Sequence, residues 1–138
     1  MEISAQVRNN AGSNVALVAT SGVKQSLPVT AKASGRGSSI NGGEFLMLAL
    51  ATCYCNDLYR EAERLGVFVN GCEVCVSGQF NGVGLAAESI TYSAKVDSPA
   101  SPEAVELLLA ETDRLAEVHN TLRAGCPVQR LPWREPVA

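Results

Sequence analysis

A chain of 138 residues with 46% hydrophobic and 18% charged side chains is long enough to bury a core without disulfide or metal support. That composition excludes a disordered or collagen-like chain. A formal net charge of -3 and a pI near 5.1 leave no basic stripe for phosphates, which argues against nucleic acid and anionic membranes as partners. Five cysteines are an odd number, whereas an exported disulfide scaffold uses an even one, so reduced thiols are expected.

The start, Met1-Glu2-Ile3-Ser4, lacks the basic and apolar regions of a secretory signal, and a cytoplasmic location is the expectation. Three short extended runs follow, Ile3 to Val7, Val15 to Ala19 and Val23 to Val29. Turn signals at Asn9-Asn10-Ala11-Gly12 and Ser21-Gly22 separate them, which predicts a β-meander. Residues 33–43 are rich in Gly and Ser and read as a mobile or ligand-facing loop.

Asn41 followed by Glu44 approximates a capping box, so a helix is predicted over 42–65, stopped by Gly66. Its first half is apolar all round, as a helix surrounded by protein must be, and its second half alternates charged residues with Leu58, Ala62 and Leu65. The apolar stretch Phe45 to Cys55 is well short of the roughly 20 residues that span a bilayer.

Two strands come next. Cys72, Val74, Val76 and Phe80 share one face of the first, and Ile90, Tyr92, Ala94 and Val96 one face of the second, with a hairpin signal at Asn81-Gly82. Ser101-Pro102-Glu103 opens a further helix whose inner face is Val105, Leu108, Leu109, Thr112 and Leu115. A short helix and then a strand, Cys126 to Trp133, are expected beyond Val118. Strands and helices in separate runs imply an α+β fold, here one domain over 1–138.

The segment Gly43-Glu44-Phe45-Leu46-Met47-Leu48-Ala49-Leu50-Ala51-Thr52-Cys53 resembles the Glu-Leu-Leu-Leu-Ala-Ala-Leu-Ala-Gly-Cys signature of the OsmC/Ohr family. This family comprises osmotically induced and organic hydroperoxide resistance proteins. Asp57 matches a common family position. Leu65-Gly66-Val67 through Gly71-Cys72-Glu73-Val74 is similar to the strand after the family helix, and Asn120-Thr121-Leu122 resembles part of Cys-Pro-Val-Ser-Asn-Thr-Leu.

The resemblance implies an OsmC-like fold in an intertwined homodimer, with the two central helices packed together and the sites at the interface. It also implies a thiol peroxidase that uses no cofactor and no metal. A thiolate attacks an organic hydroperoxide and becomes a sulfenic acid; a second cysteine traps it as a disulfide, which an external dithiol reduces. Cys53 matches the first cysteine. Ala116 stands where the second belongs, with Glu117 in place of the following Pro.

An activating arginine is implied from the N-terminal strands, where Arg8 is the nearest counterpart; Arg36 in the loop is an alternative cation. Glu44 matches the signature acid that would orient it, although helix capping explains Glu44 equally. On a continuous helix nine residues rotate through nine times about 100°, which turns Glu44 away from Cys53. Shared work then requires Glu44 in the preceding loop, or a contribution from the partner chain.

Cys126, after the Asn-Thr-Leu segment, is the candidate substitute for the missing second thiol. Cys72-Glu73-Val74-Cys75 has Cys-x-x-Cys spacing, but on a strand the two side chains point to opposite faces, Cys72 inward and Cys75 outward. His119 is expected in a local capping role.

Three functions fit these residues. The first is a hydroperoxide reductase with Cys53 as nucleophile. The second is a non-catalytic dimer that binds a small apolar or electrophilic ligand in its interface cleft. The third is a metal carrier using Cys53, Cys55 and Cys126.

Overall fold

The computed structural model describes residues 1–133; the last five positions of the predicted domain lie outside the described residues. The element order is β1 (Ile3–Asn10), β2 (Ser13–Thr20), β3 (Val23–Leu27), α1 (Gly42–Leu65), β4 (Gly71–Phe80), β5 (Ala87–Asp97), α2 (Pro102–Leu115) and α3 (Glu117–Ala124). The chain divides into two compact units, the first ending at Leu46 and the second starting at Met47.

The first unit is the expected meander, with sheet order β1-β2-β3 and both pairs antiparallel. Ser21 and Gly22 take φ of 48° and 83°, the two left-handed positions that a tight hairpin turn requires. Cross-strand register puts Ile3, Ala5 and Val7 on the same face as Ala16, Val18, Val23 and Leu27. Apart from Thr20 and Gln25 that face is apolar, yet Ile3, Val7 and Val23 are 69%, 64% and 70% exposed.

The Gly/Ser loop folds back on itself. Lys32 N–H donates to the Gly37 carbonyl, Ser39 N–H to that of Thr30, and Gly37 N–H to the Asn9 side chain at 3.2 Å. The capping box is present in both directions: Asn41 N–H donates to Glu44 Oε2 at 2.7 Å, and Glu44 N–H to Asn41 Oδ1 at 2.9 Å.

In the second unit β4 and β5 pair antiparallel, placing Cys72 opposite Val96, Val74 opposite Ala94 and Val76 opposite Tyr92. These inward residues pack against Tyr54, Leu58 and Ala62 of α1, Leu108 of α2, and Ala116. Tyr54 also donates its hydroxyl to the Leu109 carbonyl at 2.8 Å. Ser101 caps α2 through Ala104 N–H, as its sequence foretold. Leu58 and Leu108 are fully buried. Leu58→Ala is expected to cost about 2–5 kcal/mol, because a closed core cannot collapse around the lost carbons; denaturant unfolding measures it.

Four expectations change. The hairpin strands stop at Phe80 and resume at Ala87, so the connection is longer than a two-residue Asn-Gly turn. A register irregularity between Ser77 and Gln79 breaks the alternation, and Phe80 is exposed rather than sharing the inward face. Residues 126–133 form no strand. The apolar first half of α1 is only partly covered: Leu50 is buried but Leu48 is 56% exposed, since the residues packed on that half leave one flank open.

Candidate functional site

Cys53 lies where the apolar half of α1 gives way to its charged half. Its thiol is half-buried and donates to Asp57 Oδ2 at 3.2 Å, a contact that follows from four-residue spacing on one helix face. Asp57 is buried, and its Oδ1 accepts from Arg60 Nη1 at 3.0 Å. The same nitrogen donates to Glu117 Oε1 at 3.2 Å, and Arg60 Nε donates to Glu61 Oε1 at 3.1 Å. One guanidinium therefore spans three carboxylates beside the thiol.

The start of α3 completes the cluster. Its N-cap, Ala116, has no side chain to satisfy the first-turn amides, and the Val118 N–H donates to the Cys53 sulfur instead. Burial pushes the Cys53 thiol up from its ordinary value; the Val118 amide opposes this, and Asp57 and Glu117 reinforce it. Burial likewise raises the Asp57 carboxyl, with the thiol hydrogen bond and Arg60 pulling down and Glu117 pushing up.

At neutral pH the arrangement is thus a protonated thiol held against a carboxylate, with a backbone donor waiting at the sulfur. Asp57 can accept the proton when the sulfur attacks, and the amide can stabilise the thiolate. The ligand-capable atoms of Cys53, Asp57 and Glu117 lie within 4.8 Å of one another. Arg60 already supplies positive charge between the two carboxylates. The trio anticipated for a metal, Cys53, Cys55 and Cys126, does not come together among the described residues; Cys55 meets Cys72 instead, Sγ to Sγ 3.1 Å.

The other anticipated residues are placed as follows. Arg8 sits in β1 opposite Val15, exposed, and Arg36 is exposed in the loop. Glu44 lies in the first turn of an unbroken α1, not in the preceding loop, and its carboxylate caps the helix. Cys126 is exposed just past α3, its thiol donating to the Pro127 carbonyl at 3.9 Å. Cys72 faces the core and Cys75 is exposed.

The sequence placed Asp57 one turn from Cys53, where its charge disfavours the thiolate, and the structure agrees; Arg60, Glu117 and the Val118 amide were missed. The three-residue step from Asp57 to Arg60 was a readable signal. His119 does not cap. It is 5% exposed, in edge contact with Tyr92 at 4.9 Å between ring centroids, and neither ring nitrogen has a partner among the described residues. Burial and Arg123 lower its pKa, so the ring is neutral at pH 7. With Leu50, Val76, Ile90, Tyr92 and Leu122 it lines a cavity of about 330 Å³.

Among the described residues no helix is long and apolar enough to cross a membrane. No curated protein matches the chain. Among solved structures the chain is similar to an OsmC-like protein from Mycoplasma pneumoniae, at 17% identity over 90% of this chain and 87% of that one, TM-score 0.64. It is also similar to an organic hydroperoxide resistance protein OsmC from Legionella pneumophila, at 12% identity over 89% and 90%, TM-score 0.61.

A third structure, from Vibrio cholerae, is a putative organic hydroperoxide resistance protein with captopril bound in one of its active sites; it is 14% identical over 91% and 86%, TM-score 0.59. At such identities these likenesses establish the α+β architecture. Residues 35–130, more than half of the sequence, match the family described as OsmC-like protein. The chain belongs to the OsmC-like protein family.

Proposed function

We propose that this protein is a thiol-dependent hydroperoxide reductase, with Cys53 as the nucleophile and organic hydroperoxides as substrates. The observation that carries the reading is the Cys53 thiol, on the helix bearing the family signature, bonded to Asp57 and approached by the Val118 amide. The hydroperoxide resistance proteins among the structural relatives support the substrate class.

In the first step Asp57 takes the thiol proton and the sulfur attacks the distal peroxide oxygen. The O–O bond breaks, the alcohol leaves with a proton, and Cys53 becomes a sulfenic acid. Ala116 offers no thiol to trap it. An external dithiol displaces water from the sulfenic sulfur and its second thiol then releases Cys53. Where Cys126 displaces the water first, one thiol of the dithiol opens the Cys53–Cys126 bond and the other then closes the dithiol's own disulfide, leaving both cysteines reduced.

One equivalent of cumene hydroperoxide is expected to oxidise Cys53 before any other cysteine, as read by mass-spectrometric mapping. Preferential oxidation elsewhere would sink the assignment.

The reading includes a single OsmC-like domain over 1–138 and a homodimer. Similarity that runs over about nine-tenths of both this chain and its structural relatives supports the first. The uncovered apolar sheet face of Ile3, Val7 and Val23, and the exposed Leu48 of α1, support the second. With Glu44 committed to the helix start, its route to a thiol runs from a second copy, and Arg8 is assigned to that shared site with it. Sedimentation equilibrium is expected to give twice the chain mass; a monomer at micromolar concentration would remove both assignments.

The cavity beside His119 favours a second reading, binding of a small apolar ligand without turnover. Saturable ligand binding together with no peroxide consumption by any dithiol distinguishes it.

A further inference from the structure

A second pair of thiols meets away from the Asp57 cluster. Cys55 on α1 and Cys72 on β4 bring their sulfurs to 3.1 Å, both partly buried. A disulfide bond is about 2.05 Å long, so an approach of about 1 Å separates the two thiols from it. Helix and strand hold this juxtaposition from opposite sides: Cys72 is fixed by pairing with Val96, and Cys55 lies on the packed central helix.

Two further observations make the pair a site. Cys55 lines a cavity of about 260 Å³ together with Ala51, Thr52, Asn56 and Val74, which gives a small reagent a way to its sulfur. Tyr59, one turn beyond Cys55, places its hydroxyl on Cys72, and that contact is the first cause of the raised Tyr59 pKa. The Cys72 sulfur thus sits between an S–H and an O–H. The hydrogen bond to Cys72 and burial push the Cys55 thiol up to about 11, so its thiolate is scarce at neutral pH and exchange should quicken in alkaline buffer.

We propose that Cys55 and Cys72 form a reversible dithiol–disulfide centre that exchanges with a small-molecule disulfide admitted through the cavity beside Cys55. The Cys55 sulfur, losing its proton, attacks one sulfur of the reagent; the reagent's S–S bond breaks and one thiol leaves. Cys72, losing its own proton, then attacks Cys55 in the mixed disulfide and displaces the second thiol. The pair gives up two electrons and two protons, and the small disulfide becomes two thiols. Cys53 takes no part, since it lies about 200° away around the helix.

The test uses glutathione disulfide in buffers of graded glutathione ratio. Trypsin leaves Cys53 with Cys55 on residues 37–60 and Cys72 with Cys75 on residues 65–95, so Cys53→Ser/Cys75→Ser makes the linkage unambiguous. In the unsubstituted chain, chymotrypsin cuts after Tyr54 and so separates Cys55 from Cys53, while Cys72 stays on one fragment with Cys75. As the ratio becomes oxidising, a cross-link between the two fragments is expected to pass from a minority to the majority of the protein, and excess glutathione should reverse it. Cys72→Ser in the same background should leave Cys55 trapped as a glutathione adduct.

Thiols that stay free, separate adducts without a cross-link, or a bond to Cys126 in place of Cys72 would each overturn the proposal. Because the doubly substituted protein lacks Cys53, its result is independent of the peroxidase reading.

Discussion

Replacing Cys53 by Ser is expected to bring hydroperoxide consumption down to the uncatalysed background. The other four cysteines leave no substitute at this position. Cys55 and Cys72 face each other, Cys75 projects from the outer face of β4, and Cys126 lies beyond α3. Nucleophilic attack on peroxide oxygen requires a thiolate, and a serine hydroxyl beside Asp57 cannot replace it at neutral pH. Coupled assay of peroxide loss with a dithiol reductant measures the effect. A wild-type rate in the variant would move the chemistry to another sulfur.

Asp57→Asn is the more discriminating substitution, because activity, thiol reactivity and stability should move in different directions. As proton acceptor, Asp57 contributes to the rate of attack, and its loss is expected to slow peroxide turnover by about 10²-fold or more. Its charge and its hydrogen bond also raise the Cys53 pKa, so the asparagine variant should hold a larger thiolate fraction and react faster with iodoacetamide at pH 7. Faster alkylation with slower turnover identifies Asp57 as a base. If turnover instead rises along with alkylation, Asp57 merely suppresses the thiolate, and its role as acceptor is wrong.

Stability supplies the third readout. The Asp57 carboxyl is raised in the folded state, so its favourable contribution is complete below the unfolded carboxylate range and is lost as pH climbs through the folded value. Above that folded value the ionised group opposes folding. Removing its charge should leave the thermal midpoint unchanged or higher, with the gain vanishing in acid. In the wild type, turnover should climb with pH through the raised Cys53 value.

Much of the architecture was legible because it is local. The reciprocal bonds of Asn41 and Glu44 start α1 where the spacing said they would, Ser101 caps α2, and the period-two faces of β4 and β5 bury Cys72, Val74, Tyr92 and Val96. Long-range consequences were harder to see. A carboxylate one turn from a thiol raises its pKa, which spacing on one helix shows, whereas α3 bringing Glu117 and an opposing amide against the same sulfur is a long-range consequence.

The meeting of Cys55 with Cys72 depends on how a strand lies across a helix, which no spacing within either element encodes. His119 was misjudged for a related reason. A polar residue in a short helix suggests a surface role, but Tyr54 and Tyr92 offer ring faces that take it into the interior.

Ala116, whose methyl is wholly enclosed with Tyr54, Leu58, Ala62 and Leu108, leaves no space for a larger side chain at the start of α3. Placing a sulfur there would add volume to a closed interior, at about 1–3 kcal/mol for overpacking. On the proposed reaction, the thiol that recycles Cys53 has to come from outside this packed junction between α2 and α3.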